Sequence, residues 1–291
     1  MITSRKYYNG HIQSMNTHKQ IITAAFLAAA PIAHGAITWA AGAPGGTSGG
    51  SLNFDADAAT GLFLDTGIAA TAVGGVRPVA SSGDYTISMW INSGRTGENW
   101  FFGTGFRGLH LGIRTTANGG TQDTLSQGHW GADSDGTTTI QPGTWYHATF
   151  TYDADGGTGG TTGLQSIYLD GALQSSTDNI GPNDATTNLI IGARNNGANT
   201  PFLGQLDDVA IWDSVVTAAD INAIAGGTSP TDFGAQAYWD FEDAQTSTTA
   251  AVSGAGGLGA TDLSGITVVP EPSSLALVLA GALGFMRRKR A

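Results

Sequence analysis

Strand-sized runs of about four to nine residues, parted by clusters of glycine, serine, threonine and asparagine, recur along most of this chain. Forty-four of its 291 residues are glycine, which weakens helices and suits turns, and threonine favours strands. Such a chain is confined to an antiparallel architecture of many short strands. In Tyr85 to Asn92, Tyr85, Ile87, Met89 and Ile91 alternate with Thr86, Ser88, Trp90 and Asn92, which places the two sets on opposite faces. Leu109, Leu111 and Ile113 alternate in the same way with His110, Gly112 and Arg114, and Trp145 to Tyr152 carries Tyr146, Ala148, Phe150 and Tyr152 on one side. Gln165 to Leu169 runs into Asp170-Gly171, the dipeptide of a tight hairpin, and Ala172 to Ser176 returns. Asn188 to Gly192, Leu206 to Trp212 and Ala237 to Phe241 complete the series. One helix is expected, Ala218 to Ile224, capped by Thr217, with Asp220 in its first turn and Gly226-Gly227 at its end.

The two ends of the chain read differently. Ile21 to Ile32 is an apolar stretch of signal-peptide length behind His18 and Lys19, and small residues at Ala33 and Gly35 place a cleavage before Ala36. Residues 1–35 are therefore a signal peptide; Met15 stands at the usual distance from the apolar core, so residues 1–14 are either an over-long start or an extended n-region. At the other end, Pro270-Glu271-Pro272 precedes an apolar run, Leu275 to Met286, and the basic cluster Arg287, Arg288, Lys289 and Arg290. The run is about a dozen residues, short of the ~20 of a lasting membrane helix, and the basic cluster keeps its end cytoplasmic. This order of elements resembles the PEP-CTERM sorting signal of Gram-negative bacteria. The resemblance implies recognition by an exosortase-type membrane protease, transient anchoring in the inner membrane, and delivery to the cell surface or extracellular matrix.

Between Ala36 and Glu271 lie five arginines, no lysine and all 23 acidic residues, a net charge of −18 against −11 for the whole chain. That surface excludes nucleic acid as a partner. With no cysteine, an exported chain of this kind is held by its core and not by disulfides. Asp dominates the acids, and short carboxylates in glycine-rich loops suit calcium.

The strand series resembles the laminin G-like, concanavalin A-like jelly roll. The matching pieces are Ser51 to Phe54, Asp84 to Ile91, Gly143 to His147, Ile167 to Gly171, Ile190 to Gly192, Gly204 to Trp212 and the short helix from Thr217 to Ile221. The resemblance implies an all-β, two-sheet antiparallel sandwich with one short helix, flanked by N- and C-terminal apolar signal helices. Residues 36–245 form the jelly roll. Residues 246–269, rich in Ser, Thr, Ala and Gly without period, are a linker to the sorting signal at 270–291, whose apolar run is a short transmembrane segment.

Hydrolases of this sandwich carry alternating acids on one strand, and glycoside hydrolysis needs two carboxylates flanking one bond. No such triplet occurs, and Asp207 and Asp208, being adjacent on a strand, are expected to face opposite sides. Asp153-x-Asp155 has the right spacing but reads as a plain surface loop. His110, His129 and His147 lack metal-ligand spacing and read as hydrogen-bonded sheet residues. For calcium, the candidates are Asp133 and Asp135 on a turn ending at Gly136, joined at the same rim by Asp207 or Asp208; turn chemistry explains Asp before Gly equally well. For a sugar, Trp100, Phe101, Phe106 and Trp130 are candidate exposed stacking faces, Trp100 and Trp130 foremost, and Asn99, Arg107, Arg114, Asn195 and Asn196 are candidate donors, Arg114 foremost, whereas Trp90, Trp145, Trp212 and Trp239 belong to strand patterns and the core. The expected function is a non-catalytic carbohydrate-binding or adhesion module for extracellular polysaccharide. A structural matrix protein without a specific ligand is the alternative, and a glycan-active hydrolase a third.

Overall fold

The computed structural model describes residues 36–47, 49–55, 63–69, 83–104, 108–129, 131–160, 162–179, 188–194 and 201–241. The signal peptide, the linker and the sorting signal lie outside them. In chain order the strands are β1 (Ala36–Ala41), β2 (Gly50–Asp55), β3 (Leu64–Ala69), β4 (Tyr85–Ser93), β5 (Asn99–Gly103), β6 (His110–Arg114) and β7 (Thr124–Gly128). They continue as β8 (Ser134–Thr139), β9 (Trp145–Asp153), β10 (Gly163–Leu169), β11 (Ala172–Asn179), β12 (Asn188–Ile191) and β13 (Gly204–Trp212), followed by helix α1 (Ala218–Ala225) and β14 (Ala237–Trp239).

Two antiparallel sheets result. The larger runs β1-β2-β13-β4-β9-β10-β11, with β14 also on β13; the smaller, six-stranded sheet runs β3-β12-β5-β6-β7-β8. Their facing sides bury Ile87, Met89, Ile91, Phe150 and Ile167 against Phe101, Phe102, Leu111, Ile113 and Leu125, the arrangement of an aligned sandwich. The alternation in β4, β6 and β9 thus points the apolar set inward. Trp145, on the other face of β9, is contrary to expectation not in the core but only half-buried.

Local chemistry sets the connections. Asp170 and Gly171 both take positive φ, 50° and 78°, the geometry of a two-residue hairpin whose twist matches its strands. Thr217 caps α1 by accepting from the Asp220 N–H, and its hydroxyl donates back to the Asp220 carboxylate at 2.7 Å. The helix packs Ile221 and Ile224 on Ala210, Trp212 and Tyr238, a second small core on the outer face of the larger sheet.

Adjacent positions 207 and 208 do not face opposite sides. The register of β13 against β4 shifts between Asp207 and Ala210, and Asp208 takes φ 48°, so a β-bulge turns both carboxylates one way. Ala43 N donates to Asp207 Oδ2 at 2.9 Å and Thr47 N to Asp208 Oδ2 at 2.7 Å. The Thr47 and Tyr238 hydroxyls donate to Asp208 Oδ1. A Cβ on Gly46 would stand 2.9 Å from Asp208 Oδ2 and 3.2 Å from Asp207 Oδ2, so the two groups converge on one point of the 42–49 segment. Burial pushes the Asp208 carboxyl above the ordinary carboxylate range, against the opposing pull of Thr47 and Tyr238. The same bulge divides one edge of β13 between β2, which pairs with Gly204 to Leu206, and β14, which pairs with Val209 to Ile211.

Candidate functional site

The alternation of β6 sends His110, Gly112 and Arg114 to the face of the smaller sheet turned away from the core, where Trp100 of β5 pairs with Gly112. The pairing shifts between Trp100 and Phe102, and this bulge lets Phe101 and Phe102 both enter the core while Trp100 stays outside it. On this face is a cavity of about 340 Å³ lined by Glu98, Trp100, His110, Arg114, Gly131, Asp133 and Arg194.

Glycine makes the floor. A Cβ at Gly112 would stand 2.5 Å from Trp100 Cε3, and one at Gly128 would stand 2.1 Å from His110 Nε2. No side chain fits at either position, so the indole and imidazole lie down on the sheet. The two rings meet edge to face with centroids 4.9 Å apart, and the Arg194 guanidinium sits 5.2 Å from the Trp100 ring centroid, a cation–π contact.

Arg114 Nη1 lies 2.8 Å from Asp133 Oδ2, and His110 Nε2 lies 3.6 Å from Asp133 Oδ1. Burial works to raise the Asp133 pKa, but His110 and the Arg114 charge outweigh it and hold the carboxyl below its ordinary value. Asp133 therefore stays ionised. Behind it, His129, Ala132 and Ser134 are tied to the interior: Gln165 Nε2 bridges His129 Nδ1 and the Ala132 carbonyl, and Ser134 donates to Gln165 Oε1. His129 Nε2 meets the Tyr85 hydroxyl at 2.8 Å, to which Gln127 also donates. This buried network fixes the segment carrying Gly131 and Asp133.

Of the residues singled out by sequence, the fold brings Trp100, Arg114 and Asp133 into one cavity. Trp100 differs from expectation in being only 1% exposed; it forms a wall and not an open stacking face, because Arg194 covers it. Phe101 is likewise no stacking face but part of the core, and the Asn99 amide is no free donor, since it is buried and donates to Ser93 Oγ and the Leu203 carbonyl. Trp130, Phe106, Arg107, Asn195 and Asn196 lie outside the described residues. Asp133 to Gly136 is not a free turn but leads into edge strand β8, and Asp135 Oδ2 accepts from Thr121 N at 2.8 Å. Asp207 and Asp208 belong to the other sheet, and their oxygens meet N–H and O–H donors, which satisfy a carboxylate without a metal. Asp84, Asp153 and Asp155 form a separate acidic group whose ligand atoms lie within 4.8 Å of one another; Asp84 Oδ1 there accepts from Ala154 N at 2.9 Å. Glu98, His110 and Arg194 are cavity residues that sequence reasoning did not mark.

Residues 65–222, more than half of the chain, match the sequence profile of the concanavalin A-like lectin/glucanases superfamily. The chain belongs to that superfamily. Residues 268–290 of this concanavalin A-like chain match the PEP-CTERM protein-sorting motif, and no curated protein matches it. A Bacteroides ovatus protein assigned to carbohydrate binding shares 22% identity over 62% of this chain and 51% of its own, with a TM-score of 0.50. The concanavalin A-like chain thus spans about half the length of that protein. Domain 4 of AbnA, a GH43 extracellular arabinanase from Geobacillus stearothermophilus in complex with arabinotriose, shares 19% identity over 66% of this chain and 82% of its own, with a TM-score of 0.42. A heptameric SAP-like pentraxin from Limulus polyphemus shares 18% identity over 51% and 73%, with a TM-score of 0.40. At these identities the likeness is one of fold. No helix among the described residues is long and apolar enough to cross a membrane.

Proposed function

We propose that this chain is an exported, non-catalytic carbohydrate-binding module, processed by an exosortase at its PEP-CTERM tail, that takes extracellular polysaccharide in the cavity at Trp100. The observation that carries the reading is the composition of that cavity. Arg114, Asp133, Arg194 and Glu98 stand together over the buried rings of Trp100 and His110, a concave site that brings donors and acceptors for sugar hydroxyls to one place. Membership of a superfamily of lectins and glucanases, together with the sorting motif, supports the same reading.

The state of Asp133 supports binding without hydrolysis in this reading. A general acid needs a raised pKa, whereas Arg114 and His110 lower this one. The pairing with Arg114 also makes calcium unnecessary at Asp133, so glycan binding is expected to persist in EDTA. Titration of the purified protein against a panel of polysaccharides, with and without calcium, tests the reading. Saturable binding that Arg114→Met abolishes is the expected result. No saturable binding to any polysaccharide would leave a structural matrix protein, and release of reducing sugar would make the chain a hydrolase.

A further inference from the structure

We infer that the cavity selects an acidic sugar, docking the carboxylate of a uronate on Arg194. The proposal rests on the carbohydrate-binding reading and adds the class of sugar. Its starting point is the distribution of charge. Between Ala36 and Glu271 there are five arginines and no lysine among 23 acids, yet two of the five line a single cavity.

The two arginines are not equivalent. Arg114 is committed to Asp133 at 2.8 Å. The other acid of the cavity, Glu98, interacts electrostatically with Arg95, which in turn donates to the Pro201 carbonyl at 2.7 Å. Arg194 has neither an ion pair nor a hydrogen bond among the described residues; its one contact of note is the Trp100 ring. It is nonetheless half-buried and its backbone is fixed. Gly192 N donates to the Phe101 carbonyl at 2.8 Å, and the Arg194 carbonyl lies so close over Gly103 that a Cβ there would stand 1.9 Å from its oxygen. An arginine on a fixed backbone, half-buried and without a counter-charge among the described residues, gains from an anion that meets it. Its planar fork of donors matches a carboxylate bidentately.

The remaining groups suit the rest of a sugar ring. The Trp100 indole N–H and Asp133 Oδ1 are buried without a hydrogen-bond partner, while the half-buried Glu98 on the cavity lining offers carboxylate oxygens as acceptors for hydroxyls. Its volume of about 340 Å³ lies at the low end of small-molecule sites and suits one ring of a longer polymer.

The test titrates the full protein with polygalacturonate and alginate, with the carboxyl-reduced form of each, and with a sulfated galactan. Binding to at least one uronate polymer about tenfold tighter than to its reduced form is expected, the scale of one charge-assisted contact. Arg194→Gln should erase that preference with an unchanged melting temperature, and Arg194→Lys should restore it only in part. Equal or tighter binding of the reduced polymers would overturn the acidic-sugar assignment while leaving carbohydrate binding intact, as would preference for the sulfated galactan. Binding to none of these or to any neutral polysaccharide would overturn the underlying reading as well.

Discussion

The Trp90 and His147 rings meet edge to face across β4 and β9, with centroids 5.2 Å apart. Both are buried, and burial pushes the His147 imidazole down to a pKa of about 3. In the unfolded chain the ring, at its ordinary ~6.5, binds a proton that the folded state refuses. Its contribution to stability is therefore complete above ~6.5 and falls as pH drops towards 3, by up to ~1.4 kcal/mol per pH unit. Urea unfolding at about pH 7 and about pH 5 checks this against the His147→Gln variant, in which that part of the pH slope should vanish. An identical slope in the variant would place the proton uptake elsewhere.

Gly112→Ala should damage both the fold and the site. The added methyl meets Trp100 Cε3 at 2.5 Å, and the ring can retreat only by lifting off the sheet towards Arg194. Overpacking of this kind costs about 1–3 kcal/mol. The expected result is a lower melting temperature together with weaker glycan binding.

Removing the charge of Asp133 should strand Arg114. Asp133→Asn is expected to lose about 1–3 kcal/mol at neutral pH, the scale of a charge-assisted hydrogen bond with a partly buried partner. The folded Asp133 pKa is lowered, so its contribution is present above the unfolded value of ~3.9 and disappears as pH falls through the folded one. Wild type and variant should thus converge in acid. A constant difference down to low pH would mean that packing, not charge, carries the effect.

Asp208→Ala takes away the acceptor for the Thr47 N–H, the Thr47 hydroxyl and the Tyr238 hydroxyl. Thr47 is exposed and the two hydroxyls still meet each other, so the loss lies at the low end of the ~1–3 kcal/mol of an unpaired buried donor. Hydrogen exchange should show β1 and β2 opening first, well below the global unfolding free energy. Asp208→Asn should be milder, since Asn tolerates positive φ and keeps an acceptor for the hydroxyls.

Deleting Arg287 to Arg290 removes the basic end of the sorting motif. The expected outcome is a protein retained in the cell with its tail uncut, read by immunoblot of cell and surface fractions. Unchanged surface delivery would make the basic cluster dispensable for sorting.

The parts of the fold that repeat a simple period were legible in the sequence. β4, β6 and β9 alternate cleanly, Asp170-Gly171 closes its hairpin, and Thr217 and Gly226 bound the helix. What escaped was polar or bulged. β7 has all five residues buried in the order Thr124, Leu125, Ser126, Gln127 and Gly128, and no apolar pattern marks it because a polar residue holds an interior position there, Gln127, whose Nε2 donates to the Tyr85 hydroxyl and the Thr151 carbonyl. Trp100, Phe101 and Phe102 cannot be assigned to faces without the bulge between them. The bulge at Asp208 likewise reverses the direction that strand periodicity assigns. Arg114 and Asp133 could be marked one at a time from residue type, but Glu98, His110 and Arg194 reach the cavity from the residue before β5, from β6 and from the segment after β12, a juxtaposition made only by long-range pairing.

The clasp at Asp207 and Asp208 also fixes the order in which the chain can be completed. β13 is hydrogen-bonded to β2, β4 and β14, and the bond from Ala43 to Asp207 spans 164 residues. Until that late strand has left the ribosome, β2 has a neighbour on one side only and the 42–49 segment has nothing to close on. Contacts of such separation form slowly. The latch therefore shuts only after Trp212 has emerged, and until then β2 is held by β1 alone, so the direction of synthesis sets when this edge of the sheet closes.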